Sequence, residues 1–180
     1  MKFLLPAILL LMLCSPHAAA EQGTWHDKDG NAIPETASTK SKDGFGAFLV
    51  VTADKDWQEK WNTPVGTVPS FTTADSVDAG GELFVLSFLS NPLVGEDGMT
   101  DVSCDFIVLR PDGSKSIDEL DMPCFKTKLP GDPKNLYLSA ASLKFVSEPT
   151  DLRGEWIVRI TLKDNLRKVE LALETSFIVK

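Results

Sequence analysis

The segment G-E-D-G-M-T-D-V-S-C-D, residues 95–105, sets four carboxylates, Glu96, Asp97, Asp101 and Asp105, around two glycines. Hard oxygen donors at this density are the chemistry that holds Ca²⁺. A solvated acidic loop explains the same residues, since charged side chains stay in water unless paired, and that is the reading adopted. Glu96, Asp97 and Asp101 are the residues to which calcium would go; no metal is assigned. D-K-D-G-N, residues 27–31, has the opening of a calcium loop, but Ala32 stands where the sharp turn needs glycine and Ser38 where a bidentate glutamate belongs. Trp57 and Trp61 are a second constellation. Four residues apart, they share one face of a helix and form either an aromatic platform for a sugar or a packed pair, and packing is the expected role.

Nucleophilic and zinc chemistry find little to work with. Beyond the leader the chain has one histidine, His26, in a polar segment, and one tyrosine, Tyr137. There is no H-E-x-x-H, no glycine-rich phosphate loop and no paired C-x-x-C. Carboxylates are plentiful enough for a glycosidase-type acid pair, but no spacing singles out two of them. The chain is therefore read as non-enzymatic and without a cofactor.

Residues 1–20 read as a secretory signal peptide: Lys2, an apolar run over 4–14, then S-P-H-A-A-A with an A-x-A pattern that places cleavage near Ala20. Cys14 raises a lipoprotein alternative, but bulky Leu13 stands where a small residue is wanted. The expected location is the Gram-negative periplasm or the medium, with no stable membrane anchor. Removing Lys2 reduces the basic side chains from 18 to 17 against 26 acidic ones, a net charge of −9. Phosphate backbones repel such a chain, so nucleic acid is excluded as a partner. The partner expected is an envelope or extracellular protein.

Cys104 and Cys124 remain after cleavage, and an even count in an exported chain reads as a disulfide. Their midpoint falls at the turn R-P-D-G-S, residues 110–114, where Pro111 pre-sets φ and Gly113 accepts a positive one. A hairpin centred there would place Cys104 opposite Cys124, Phe106 opposite Met122 and Val108 opposite Leu120.

The elements that must position these groups follow from periodicity. Residues 21–44 are polar and turn-rich and read as a loosely held arm, 44–52 read as a strand, and the segment after it as a short helix of about two turns ended by Pro64. Strands follow at 81–92, apolar on both faces and so central, then at 101–110, 122–128 and 135–146. The apolar phase of the last slips at Ala140–Ala141, marking a bulge or a break. Trp156, Val158, Ile160 and Leu162 alternate with polar neighbours, as do Val169, Leu171, Leu173, Phe177 and Val179, which makes a hairpin with one buried face.

Within this frame S-E-P-T-D-L-R-G-E-W, residues 147–156, resembles the E–F corner of immunoglobulin-like domains, where an acid, a glycine and a tyrosine introduce the F strand. Asp151, Gly154 and Trp156 take those roles, with one extra residue between acid and glycine. Trp156 has no hydroxyl for the bond of that corner, and no cysteine follows to make the inter-sheet disulfide. The resemblance is one of fold and is shared with secreted bacterial proteins that carry such domains. It implies an all-β, immunoglobulin-like antiparallel β-sandwich over 68–180, preceded by an arm, 21–67, with a strand and a short helix. It also implies that connections 91–101 and 163–168 share one end. Glu96, Asp97 and Asp101 would then neighbour Asp164, Asn165, Arg167 and Lys168 in a candidate binding rim. The function expected is an accessory or binding protein, of inhibitor or immunity type among other options, acting through loops or an exposed strand edge. The alternatives are a calcium- or carbohydrate-binding module using 96–105 or the tryptophan pair, and a carboxylate-dependent hydrolase.

Overall fold

The computed structural model describes residues 25–26, 29–63 and 69–180. The expected signal peptide and cleavage site, and Pro64, lie outside these residues. Two sheets pack face to face. The first contains β1 (Thr39–Lys42), β2 (Phe45–Thr52) and β4 (Glu82–Ser90) in that order, with β7 (Leu136–Leu138) and β8 (Leu143–Val146) both paired antiparallel to the far side of β4. The second is ordered β3 (Ser76–Val77), β10 (Val169–Val179), β9 (Gly154–Asp164), β5 (Val102–Leu109), β6 (Lys115–Phe125). β4, β5, β9 and β10 thus occupy the B, C, F and G positions of an immunoglobulin-like sandwich, with β6 at C′. The architecture is the expected one. Among the described residues one parallel pair, β3 on β10, departs from a purely antiparallel arrangement.

Alternation places the core. Trp156, Val158, Ile160 and Leu162 are at most 1% exposed and face Leu83, Val85 and Leu89 of the other sheet within one cluster. β4 is apolar on both faces because both are covered. Phe84, Leu86 and Phe88 point away from the main core and form a second cluster with Phe48, Phe71 and the helix α1 (Trp57–Trp61). That helix is little more than one turn rather than two, and Lys60 ties it to Asp54 at 2.8 Å.

The strand read at 44–52 is β2, which pairs with β4 over Gly46–Thr52. The polar segment before it was expected to be loosely held; instead it contains β1. Ala37 O accepts from Glu174 N and Ser38 O from Leu49 N, so this segment joins the edges of the two sheets. The strand read at 135–146 breaks, as its phase slip indicated, between β7 and β8.

The disulfide Cys104–Cys124 is present, with Cα atoms 5.7 Å apart and both cysteines fully buried. The expected hairpin register is corrected. Cys104 pairs with Met122, Phe106 with Glu119 and Val108 with Ile117, because the hairpin turns about Asp112, two residues before the cysteine midpoint at Ser114, and the extra residues of β6 make up only part of that difference. Asp121, at φ 54°, lies in the shifted stretch.

The E–F corner also differs from expectation in one bond. Trp156 lacks a hydroxyl, but its indole Nε1–H donates to Leu152 O at 2.9 Å, four residues upstream. This is the back-bond that a tyrosine makes in such corners. Asp151 Oδ2 accepts from Glu148 N at 2.8 Å and closes the turn. Gly154 adopts φ 125°, and a Cβ there would come within 3.3 Å of Pro111, so the corner is seated on the β5–β6 turn.

Candidate functional site

Of the predicted rim residues, Asp101 meets Asn165 and Asp164 meets Arg167. Asp164 ends β9 with its side chain fully buried. Its Oδ2 accepts from Leu93 N at 2.8 Å and its Oδ1 from Arg167 N at 3.0 Å. The Arg167 guanidinium donates to Asp43 O at 2.8 Å and Asn91 O at 3.0 Å, linking the β1–β2 turn and the two connections. Asn165 bonds Asp101 through both its backbone and its amide. The Asn165 amide and the Lys126 ammonium hold the Asp101 carboxyl below the ordinary carboxylate range. Among the bonds of this end, Asp97 Oδ1 caps its own turn by accepting from Met99 N, and Glu96 is exposed. The directed bonds here run within the chain, and their effect is to fix three loops at one end. Among the described residues no group of three or more His, Cys, Asp or Glu side chains is arranged to hold a metal.

Trp57 and Trp61 are half-buried, packed at a tilt against Phe84 (ring centroids 6.1 Å apart) and Phe88 (5.3 Å). Their remaining edges line an open groove with Gln58, Asn62 and Ser139. His26 pairs with Ala32 in an isolated bridge, and Tyr137 donates its hydroxyl to Asp132 O at 2.6 Å.

Two features escaped the sequence reading. The first is an ion cluster on the outer face of the second sheet, where Lys163 Nζ lies 2.8 Å from Asp105 Oδ1 and 2.7 Å from Asp121 Oδ1. The Asp105 and Asp121 carboxylates push the Lys163 pKa well above its usual value. Burial alone would raise the Asp105 pKa, but the bonds from Lys163 and from Asp121 N outweigh it and leave it lowered.

The second feature is a cleft between β6 and β8. Because Val108, Phe106 and Cys104 face the core, their register partners Ile117, Glu119 and Met122 point the same way. Among the described residues no strand lies beyond β8 in the first sheet, so β6 overhangs an unfilled position. The result is a cleft of about 250 Å³ lined by Phe106, Ile117, Glu119, Met122, Ala141 and Leu143. One end is closed, where Ala140 N donates to Cys124 O at 2.7 Å and Phe125 meets Tyr137. Of the lining side chains Met122 is 41% exposed. The signal in the sequence was Pro123, which belongs on an edge strand. The mixed run K-S-I-D-E-L-D lacks the apolar alternation that would have extended the strand to Lys115.

No family model matches the chain, and no curated protein matches it. Among solved structures it is similar to a family 123 glycoside hydrolase from Clostridium perfringens, at 9% identity and TM-score 0.41, covering 74% of this chain but 27% of that one. It is also similar to a CARDB domain from Pyrococcus furiosus solved in complex with di-metal ions, at 12% identity and TM-score 0.38, covering 83% and 100% of the two chains. Likenesses this distant transfer neither activity nor ligand. The class defined by the chain's own strand order is an immunoglobulin-like β-sandwich with an internal hairpin disulfide. Among the described residues no helix is long and apolar enough to cross a membrane.

Proposed function

We propose that this chain is a non-enzymatic, exported binding protein that engages another protein of the envelope or exterior through a strand edge. The observation that carries this reading is the β6–β8 cleft. Two sheet edges border a recess there, and Phe106, Ile117, Ala141, Leu143 and the 41% exposed Met122 give it an apolar lining on a chain with net charge −8. Clustered apolar side chains around a recess mark interaction sites, whereas single exposed ones do not. The rim expected from sequence is the weaker candidate, because Asp164, Asn165 and Arg167 are engaged in holding its loops. The hairpin disulfide fits life outside the reducing cytosol.

The test is capture from envelope extract with the mature chain, residues 21–180, as bait. A discrete protein should be retained, and free bait should compete it away. Met122→Lys should abolish retention, and E96A/D97A should leave it intact. Repeated failure to recover a competed partner counts against the reading.

A further inference from the structure

We infer that the cleft accepts an extended segment of a partner protein, paired by its backbone to the free edge of β8 beneath β6, and that this segment is selected by a basic residue between two apolar ones. The inference rests on the binding-protein reading and specifies its partner.

Three observations define the occupant. First, β8 offers an edge. Its four residues, Leu143–Val146, pair with β4 on one side, and among the described residues no backbone bond is made on the other. An incoming strand can therefore take up these N–H and C=O groups as in strand addition elsewhere. β6 is the poorer edge: Pro123 lacks a donor, Asp121 sits at positive φ in an irregular stretch, and Cys124 O is already engaged by Ala140.

Second, the roof over that position is patterned. From the open end to the closed end, β6 presents Ile117, Glu119 and Met122 toward it. Side chains of an added strand point inward at every second residue. Successive inward positions thus meet an apolar, a carboxylate and an apolar neighbour.

Third, the carboxylate is available. The other acids near β6 are engaged, Asp118 with Lys115 and Asp121 with Lys163, and across the cleft Lys144 is paired with Glu82. Among the described residues the structure shows no ion pair or hydrogen bond at the Glu119 carboxylate. An inward-pointing charge on an edge strand disfavours apolar self-association and favours a cationic side chain. The segment that fits is apolar–x–Lys/Arg–x–apolar.

A synthetic peptide Thr-Val-Thr-Lys-Thr-Val-Thr, and its counterpart with Glu in place of Lys, test this against the mature chain by NMR titration and amide hydrogen exchange. At millimolar concentration the Lys peptide should slow exchange at residues 143–146 and bind about fivefold more tightly than the Glu peptide, the size of one exposed ion pair. Glu119→Lys, a change at an exposed position, should invert that preference, and Ala141→Trp, which fills the cleft, should abolish protection by either peptide. Absence of protection at 143–146, or a preference unmoved by Glu119→Lys, overturns the inference. So does a chain already dimeric through this edge, seen as a sedimentation shift removed by Val146→Lys, because the occupant is then a second copy. If the cleft fails while a competed envelope partner is still captured, the binding-protein reading survives and only its site is wrong.

Discussion

The loop end of the sandwich and the β6–β8 cleft make an instructive pair. Both collect polar side chains from elements distant in sequence, and both lie at the border of a well-packed core. At the loop end the charges face one another. Asp164 is fully buried, and its oxygens meet two backbone N–H groups and Arg167, which in turn meets two carbonyls. At the cleft, backbone edges and apolar side chains stop without partners among the described residues, and Glu119 faces the gap. Convergence of charged residues is thus a poor marker of a binding surface when their bonds close internally. On the proposed reading, unfinished sheet geometry is the better marker.

That contrast predicts which substitutions unfold the chain and which leave it folded. The largest effect belongs to Asp164→Ala, which leaves Arg167 partly buried and two N–H donors unmatched. Urea unfolding should show a loss of about 4 kcal/mol. Replacing both cysteines by alanine releases a loop spanning a sequence separation of 20 and should cost about 3 kcal/mol, without changing the strand pairing seen by NMR. Trp156→Phe keeps the ring but removes the bond to Leu152 O. A loss of about 1.5 kcal/mol is expected, with increased exchange confined to the E–F corner. At the cleft, Met122→Lys should stay within about 0.5 kcal/mol of the parent while losing the partner. A cleft variant that unfolded the chain would break the contrast.

Acid sharpens the comparison further. Asp54, Asp101 and Asp105 all have lowered pKa values in the folded chain. Their contribution to stability is therefore complete above the unfolded value of about 3.9 and is lost as pH falls through the lower folded values. Urea midpoints should drop between about pH 5 and about pH 2. Asp105→Asn should flatten that decline, whereas Glu119→Lys should leave it unchanged.

Much of the scaffold could be read from the residues. Period-2 alternation in β9 and β10 depends only on one buried face, so it survives any detail of packing. The break after Leu138 was visible because the apolar phase slips there. The corner at Asp151, Gly154 and Trp156 was recognised, but its central bond was not, since an indole N–H was not weighed as a substitute for a phenol. β6 was half missed for a physical reason. A strand that overhangs empty space has no opposing layer to demand apolar residues, so Glu119 occupies an inward position and the pattern dissolves. β1 was missed because a short edge strand of Thr, Lys and Ser is stabilised by its pairing with β2 rather than by burial. Of the expected rim, Asp101 meets Asn165 and Asp164 meets Arg167. The saturation of that rim by Leu93 N, Asn91 O and Asp43 O was invisible, because these are backbone groups and leave no mark on residue type.

Site-specific photo-cross-linking tests the central claim most directly, using a benzophenone side chain at Met122 in the cleft or at Glu96 on the rim, in the exported chain within intact cells. The account predicts a discrete cross-linked partner from position 122 that disappears with Ala141→Trp, and none from position 96. A partner cross-linked from position 96 and absent from position 122 would contradict it.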